Sequence, residues 1–94
     1  MDRREVSAAQ EQAEFCGLLG NALRIQIIWA LNHRELTVSE IAVEIDTSMQ
    51  NTSQHLRLMK NKGVLLSRRD GREIYYRVAD TKFTRICPVI AKNR

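Results

Sequence analysis

The stretch that most restricts the fold runs over 37–63, TVSEIAVEIDTSMQNTSQHLRLMKNKG. Thr37 and Glu40 stand three residues apart at the head of an apolar pattern, the spacing of a capping box. In such a box the hydroxyl meets a backbone N–H one turn into the helix, and the glutamate reaches back to the N–H of the cap. That predicts a short helix over 38–45 with Ile41, Ala42 and Ile45 facing inward. Ser48 can cap a second helix, which Gly63 stops at its far end. Within it Thr52, Leu56 and Met59 fall at offsets of four and three, so one face is apolar enough to dock on a core. Two helices separated only by Asp46, Thr47 and Ser48, the first short and the second polar on its leading face, form a helix-turn-helix.

The other side of the second helix carries the chemistry. Met49, Gln50, Ser53, Gln54 and Arg57 place amides, a hydroxyl and a guanidinium on one stripe, with Ser48 at its tip. Glutamine matches the two-point edge of adenine and arginine that of guanine, and serine can meet base or phosphate, so these six are the candidate DNA contacts of this helix. A merely solvated polar face is the alternative. Charge distribution bears on that choice. Residues 1–46 hold 4 Lys/Arg against 8 Asp/Glu, whereas residues 47–94 hold 11 against 3. Basic charge gathered in one half is the footprint of a polyanion-binding surface, although a solvated basic surface gives the same count.

Upstream, apolar residues at helical spacing from Val6 to Leu19 predict a first helix over 6–19, broken at Gly20-Asn21. Asn21 can cap a second over 22–32, so apolar that it belongs at the centre of the fold, and Trp29 reads as core rather than as a platform for stacked bases. Beyond Gly63 the period becomes two. Strands are expected over 65–69 and 73–78 with Asp70-Gly71 as the tight turn, Ile74, Tyr76 and Val78 facing in, and Tyr75 and Arg77 facing out. A hairpin with Arg68, Arg69 and Arg72 at its tip, directly after such a helix, is a wing whose arginines can meet phosphates or a minor groove. Charge that only blunts a sheet edge is the competing explanation. Phe83, Ile86, Cys87 and Ile90 predict a last helix, kinked or ended near Pro88.

The expected fold is therefore mainly α with a small β-hairpin: four helices, two strands and a fifth helix, a winged helix-turn-helix. Ninety-four residues suffice for one domain over 1–94. The helix-turn-helix occupies 38–62 and the wing 64–78. The outer helices, within 1–20 and 80–94, have no home inside a single copy, so they are expected to pair with a second one. No run of about 18 apolar residues exists to span a membrane, and the charged start MDRREVSAAQEQ is no secretory leader, so the reading is cytosolic. Two cysteines 71 positions apart make neither a disulfide framework nor a CxxC zinc site. His33 and His55 have no partners at ligand spacing and read as structural or phosphate-facing. No metal or other cofactor is expected. Paired carboxylates, a phosphate loop and an activated nucleophile are lacking, so the chain does not read as an enzyme.

Four segments, LGNALRIQIIWAL (19–31), ELTVSEIAVEI (35–45), SMQNTSQHLRLMKNKGVL (48–65) and SRRDGREIYYRV (67–78), together resemble the arsenical-resistance repressor (ArsR) family of dimeric winged-helix regulators. The resemblance implies a homodimer joined by its first and last helices on an inverted repeat, base contacts from Met49, Gln50, Ser53 and Gln54, and backbone contacts from Arg57 and the wing. It departs at the sensor. Where many relatives have ELCVC and bind metal or arsenite through the thiolates, this chain has Thr37 and Ser39. The tail lacks the histidines of zinc-binding relatives, leaving Asp80 alone. Sulfur-sensing relatives carry a cysteine where Trp29 stands here, and Cys87 falls about two turns ahead of their second one. Cys16 and Cys87, on the two helices expected to meet between subunits, form a candidate sensor for arsenite, oxidant or sulfur species; their alternative role is that of small buried hydrophobes.

The expected function is sequence-specific binding of double-stranded DNA at a near-palindromic operator by a homodimeric transcriptional regulator, a repressor released by an effector. The alternatives are a winged-helix module that docks onto a larger transcription complex, and a regulator of the same family without thiol or metal sensing.

Overall fold

A computed structural model describes residues 2–6, 10, 17 and 21–80. Residues 3–6, Gln10 and Gly17 are helical. The first helix begins upstream of the expected Val6, because Asp2 caps it: the Glu5 N–H donates to Asp2 Oδ1 at 2.9 Å and the Val6 N–H to the Asp2 carbonyl at 3.2 Å. Cys16, Cys87 and the expected last helix lie outside the described residues.

Helix α1 spans Ala22–Leu31. Its N-cap is Asn21, whose side-chain oxygen accepts from the Leu23 and Arg24 N–H groups at 2.9 and 3.3 Å, satisfying two donors the helix leaves open. It buries Ile27, Ile28 and Leu31. Trp29 departs from expectation: it is 38% exposed and is not part of the core. At about 100° per residue, two steps from Ile27 carry a side chain past the buried face to the far side of the helix, however apolar its neighbours. After α1 the chain reverses through Asn32 (φ 31°) and His33 (φ 66°). Arg34 fastens this corner, donating from Nε to the Ala30 carbonyl at 3.0 Å and from Nη2 to Glu44 at 3.1 Å.

Strand β1, Leu36–Thr37, is an element that periodicity did not disclose. Helix α2, Val38–Glu44, follows directly with both halves of the capping box in place. Thr37 Oγ1 accepts from the Glu40 N–H at 3.3 Å, and Glu40 Oε1 accepts from the Thr37 N–H at 2.9 Å. These bonds to Thr37 hold the Glu40 carboxyl below its ordinary pKa. Stability from the box is thus complete above the ordinary carboxylate range and is lost as pH falls through the lowered value. Thr37→Ala should cost about 0.5–2 kcal/mol in urea unfolding at pH 7, with Thr37→Ser retaining most of it; no change would mean that α2 needs no cap.

Helix α3 spans Met49–Asn61 and buries Thr52, Leu56 and Met59, as expected. Gly63, at φ +80°, turns the chain out of it where an L side chain would be strained. Strands β2, Leu65–Asp70, and β3, Glu73–Val78, pair antiparallel, and β1 adds to the free edge of β3, giving the order β1-β3-β2. Asp70 pairs with Glu73, so the turn is Gly71-Arg72, one residue later than expected. Gly71 takes the first central position at φ +64°, which is where a two-residue hairpin of type II′ needs glycine. The inward set is half-buried throughout; Tyr76 and Val78 pack on the core and Ile74 does not. Tyr75 faces out, as expected, and is half-buried there with the Arg68 guanidinium over its ring.

The core of the described residues draws on Ile27, Ile28 and Leu31 from α1, Leu36 from β1, Ile41 from α2 with Ile45 just after it, Leu56 and Met59 from α3, and Val64 and Leu65 at the start of β2, with Tyr76 and Val78 of β3 packed against it. Because α3 gives this cluster one face, its opposite face must point outward.

Candidate nucleic-acid interface

Positions of α3 separate as their spacing requires. Thr52, Leu56 and Met59 are fully buried, while Met49 (55%), Gln50, Gln54 and Arg57 are exposed and Ser53 is half-buried beside them. The helix start is rigidly built. Ser48 Oγ accepts from the Asn51 N–H at 3.0 Å, the Thr52 hydroxyl donates to the Ser48 carbonyl at 2.8 Å, and Asn51 Nδ2 donates to Thr47 Oγ1 at 3.1 Å. Ser48 therefore acts first as the cap, and the corner residue Asp46 bends the chain between helices at φ 53°. Thr47 and Asn51, which sequence reasoning passed over, lock the turn to the first turn of α3. Their spacing of four is a signal that could have found them.

His55 lies on the flank of α3. Arg24 Nε donates to its Nδ1 at 3.3 Å, which puts the proton of the neutral ring on Nε2. Partial burial, then the charge of Arg24, holds its pKa below the ordinary value. This contact ties α1 to α3 and gives His55 the structural role. His33 occupies the left-handed corner after α1 and is exposed. Among the described residues no three His, Cys, Asp or Glu side chains gather where a metal ion could sit. At the positions that match the thiolates of metal-binding relatives, Thr37 is buried in its cap with its hydroxyl 3.3 Å from that of Ser39.

On the wing, the three arginines are not equivalent. Arg72 occupies the turn and Arg69 the strand beside it, and both are exposed. Arg68, expected at the tip with them, instead sits opposite Tyr75, one register step further down. Its Nε lies 2.8 and 3.0 Å from the two carboxylate oxygens of Glu35, and its guanidinium carbon lies 4.6 Å from the centroid of the Tyr75 ring. Nothing local announces this pair, since the partners are 33 residues apart.

The arrangement offers a convex helix edge of amides, one hydroxyl, a thioether and a guanidinium, flanked by a cationic hairpin turn. Its dimensions suit a major groove, which admits one α-helix. Comparison with known proteins agrees. The helix-turn-helix domain family matches residues 19–68. Over 61 residues, 65% of this chain and 47% of the other, the chain is 36% identical to the HTH-type transcriptional regulator KmtR of Mycobacterium tuberculosis. Over 72 residues, 77% of this chain and 54% of the other, it is 35% identical to a transcriptional repressor SmtB homolog of Synechocystis. The chain thus spans about half the length of the curated relatives it matches. Among solved structures, a homodimeric winged helix-turn-helix DNA-binding domain from Mycobacterium bovis superposes with a TM-score of 0.78 at 28% identity, covering 92% of this chain and 80% of that one.

Proposed function

Since the chain belongs to the ArsR family of winged helix-turn-helix transcriptional regulators, we propose that it is a sequence-specific DNA-binding repressor. It acts as a homodimer on a near-palindromic operator. The observation that carries this reading is the exposed stripe of α3, set opposite the face it buries. In the proposed complex α3 lies in the major groove. Met49, Gln50, Ser53 and Gln54 meet base edges, while Ser48, Arg57 and the wing meet the backbone. A twofold pair would place two such helices about 34 Å apart, one turn of the duplex. The dimeric Mycobacterium bovis neighbour supports that assembly. The whole of 1–94 serves as one domain, residues 1–20 and 80–94 joining the subunits. A protein-docking winged helix would present an apolar surface here, and the polar stripe speaks against it.

We further assign release from DNA to a thiol-reactive effector acting at Cys16 and Cys87. With Thr37 engaged in its cap, the thiolate site of other family members has no counterpart at that position. An effector need shift DNA affinity by only about 1–3 kcal/mol to regulate.

One titration series tests the reading. The protein should bind duplex DNA from the region upstream of its own coding sequence at least about a thousandfold more tightly than random duplex of equal length. Arg72→Ala should weaken binding to both and lower the slope of log K against log salt by about one. At least one of arsenite, a disulfide-forming oxidant and a persulfide should release the wild type and not Cys16→Ser. Equal affinity for the two duplexes would remove the claim of sequence recognition, and indifference to all three reagents would remove the thiol sensor.

A further inference from the structure

We propose that Arg68 is a positioning residue rather than a phosphate contact, and that Glu35, through it, sets the angle at which the wing approaches DNA. This deepens the DNA-binding reading and rests on it. Arg68 is the wing arginine that the protein already holds in place. Its Nε reaches both oxygens of Glu35 at 2.8 and 3.0 Å, its Nη1 lies 4.0 Å from Asp70, and its guanidinium lies 4.6 Å above Tyr75. The carboxylate on Nε and the ring beneath fix the direction of this fork within the sheet, so turning it wholly onto a phosphate would break contacts the fold already makes.

Placement in the sheet points the same way. Residues directly opposite in a ladder share a face, and faces alternate along a strand. Arg68, Tyr75 and Thr37 therefore lie on one face, whereas Arg69 and Ile74 share the other with the core residues Leu65 and Val78. Arg69 is on the side of the sheet that meets the helices, and Arg68 is on the side turned from them. Glu35 immediately precedes β1, whose partner strand is β3. The ion pair thus joins the segment that leads into the helix-turn-helix to the outer strand of the wing, across the whole width of the sheet. The hydrogen bond that Arg68 donates to Glu35 also raises the Arg68 pKa above its ordinary value.

A positioning role makes an unusual demand: removing an acid should weaken binding to a polyanion. The test is a charge swap read by titration with the upstream duplex and with random duplex, at several salt concentrations. Glu35→Gln should weaken specific binding about twofold to fivefold although it lowers the negative charge. Arg68→Glu should weaken it about tenfold or more, and Glu35→Arg combined with Arg68→Glu should return it to within about twofold of wild type by re-forming the pair in reverse. Arg68→Gln should leave the salt slope unchanged, in contrast to Arg72→Ala. Unfolding temperatures, which these surface changes should barely move, confirm that each variant is folded. A double swap as weak as Arg68→Glu alone, a slope reduced by one in Arg68→Gln, or Glu35→Gln binding as well as or better than wild type would each overturn the proposal while leaving the DNA-binding reading standing. Wild-type protein without affinity for duplex DNA would overturn both.

Discussion

Leu56→Ala should lower the free energy of unfolding by about 2–5 kcal/mol, the range for deleting a buried leucine that its surroundings cannot fill. Leu56 is fully buried at the middle of α3 and belongs to the cluster supplied by α1, α2 and α3 and by β1 and β2. In a domain of this size each kcal/mol is worth about 4–8 °C in melting temperature, so a fall of at least about 8 °C is expected in a thermal scan followed by circular dichroism. Total stabilities run to about 5–15 kcal/mol, so the variant can sit close to its unfolding threshold. DNA affinity should drop with it, on specific and random duplex alike, because the residue that anchors α3 from behind also holds its outer stripe in register. A loss below about 1 kcal/mol would show that α3 does not depend on this core.

Gln54→Ala should do the opposite: leave the fold alone and change what it reads. Gln54 is exposed one turn after Gln50 on the outer stripe of α3. Substitution of such a surface residue alters stability by no more than about 0.5 kcal/mol. A bidentate amide contact with adenine is worth about 1–3 kcal/mol of discrimination, so affinity for the cognate duplex should fall about fivefold to 150-fold. Random duplex should bind as before, since the backbone contacts that supply that affinity are untouched. Cognate duplexes altered one base pair at a time should show the preference relaxed at a single position in each half-site. If cognate and random DNA lose affinity equally, Gln54 contacts the backbone and the base-reading role falls.

The two variants lie two residues apart on one helix yet separate stability from recognition. That separation was legible in the residues themselves. Thr52, Leu56 and Met59 repeat at four and three, Gln50 and Gln54 at four, and a helix turns these spacings into two opposite faces. The caps were legible for the same reason. Asn21, Thr37 with Glu40, and Ser48 each act on an N–H two or three residues away, so sequence neighbours are also spatial neighbours.

Other features depended on partners far along the chain. Trp29 has the apolar surroundings of a core residue, but which sector of α1 is covered depends on where α2, α3 and the sheet come to rest. Two residues, Leu36 and Thr37, are too few to show an alternation, and they are a strand only because Tyr76 and Tyr75 offer an open edge. Asp-Gly suggested a turn centred on that pair; the ladder instead set Asp70 against Glu73 and moved the bend by one residue.

What the sequence alone determined is every structural choice made within about one helical turn: where α1, α2 and α3 begin, which side of α3 is buried, and which side chains are left to meet a groove. Tertiary structure decided the rest, namely the third strand, the register of the wing, the surface position of Trp29 and the capture of Arg68 by Glu35. The physical reason is range. Backbone capping and helical periodicity act between residues three or four apart, whereas strand pairing and ion pairing across 33 residues exist only once packing has brought distant segments together.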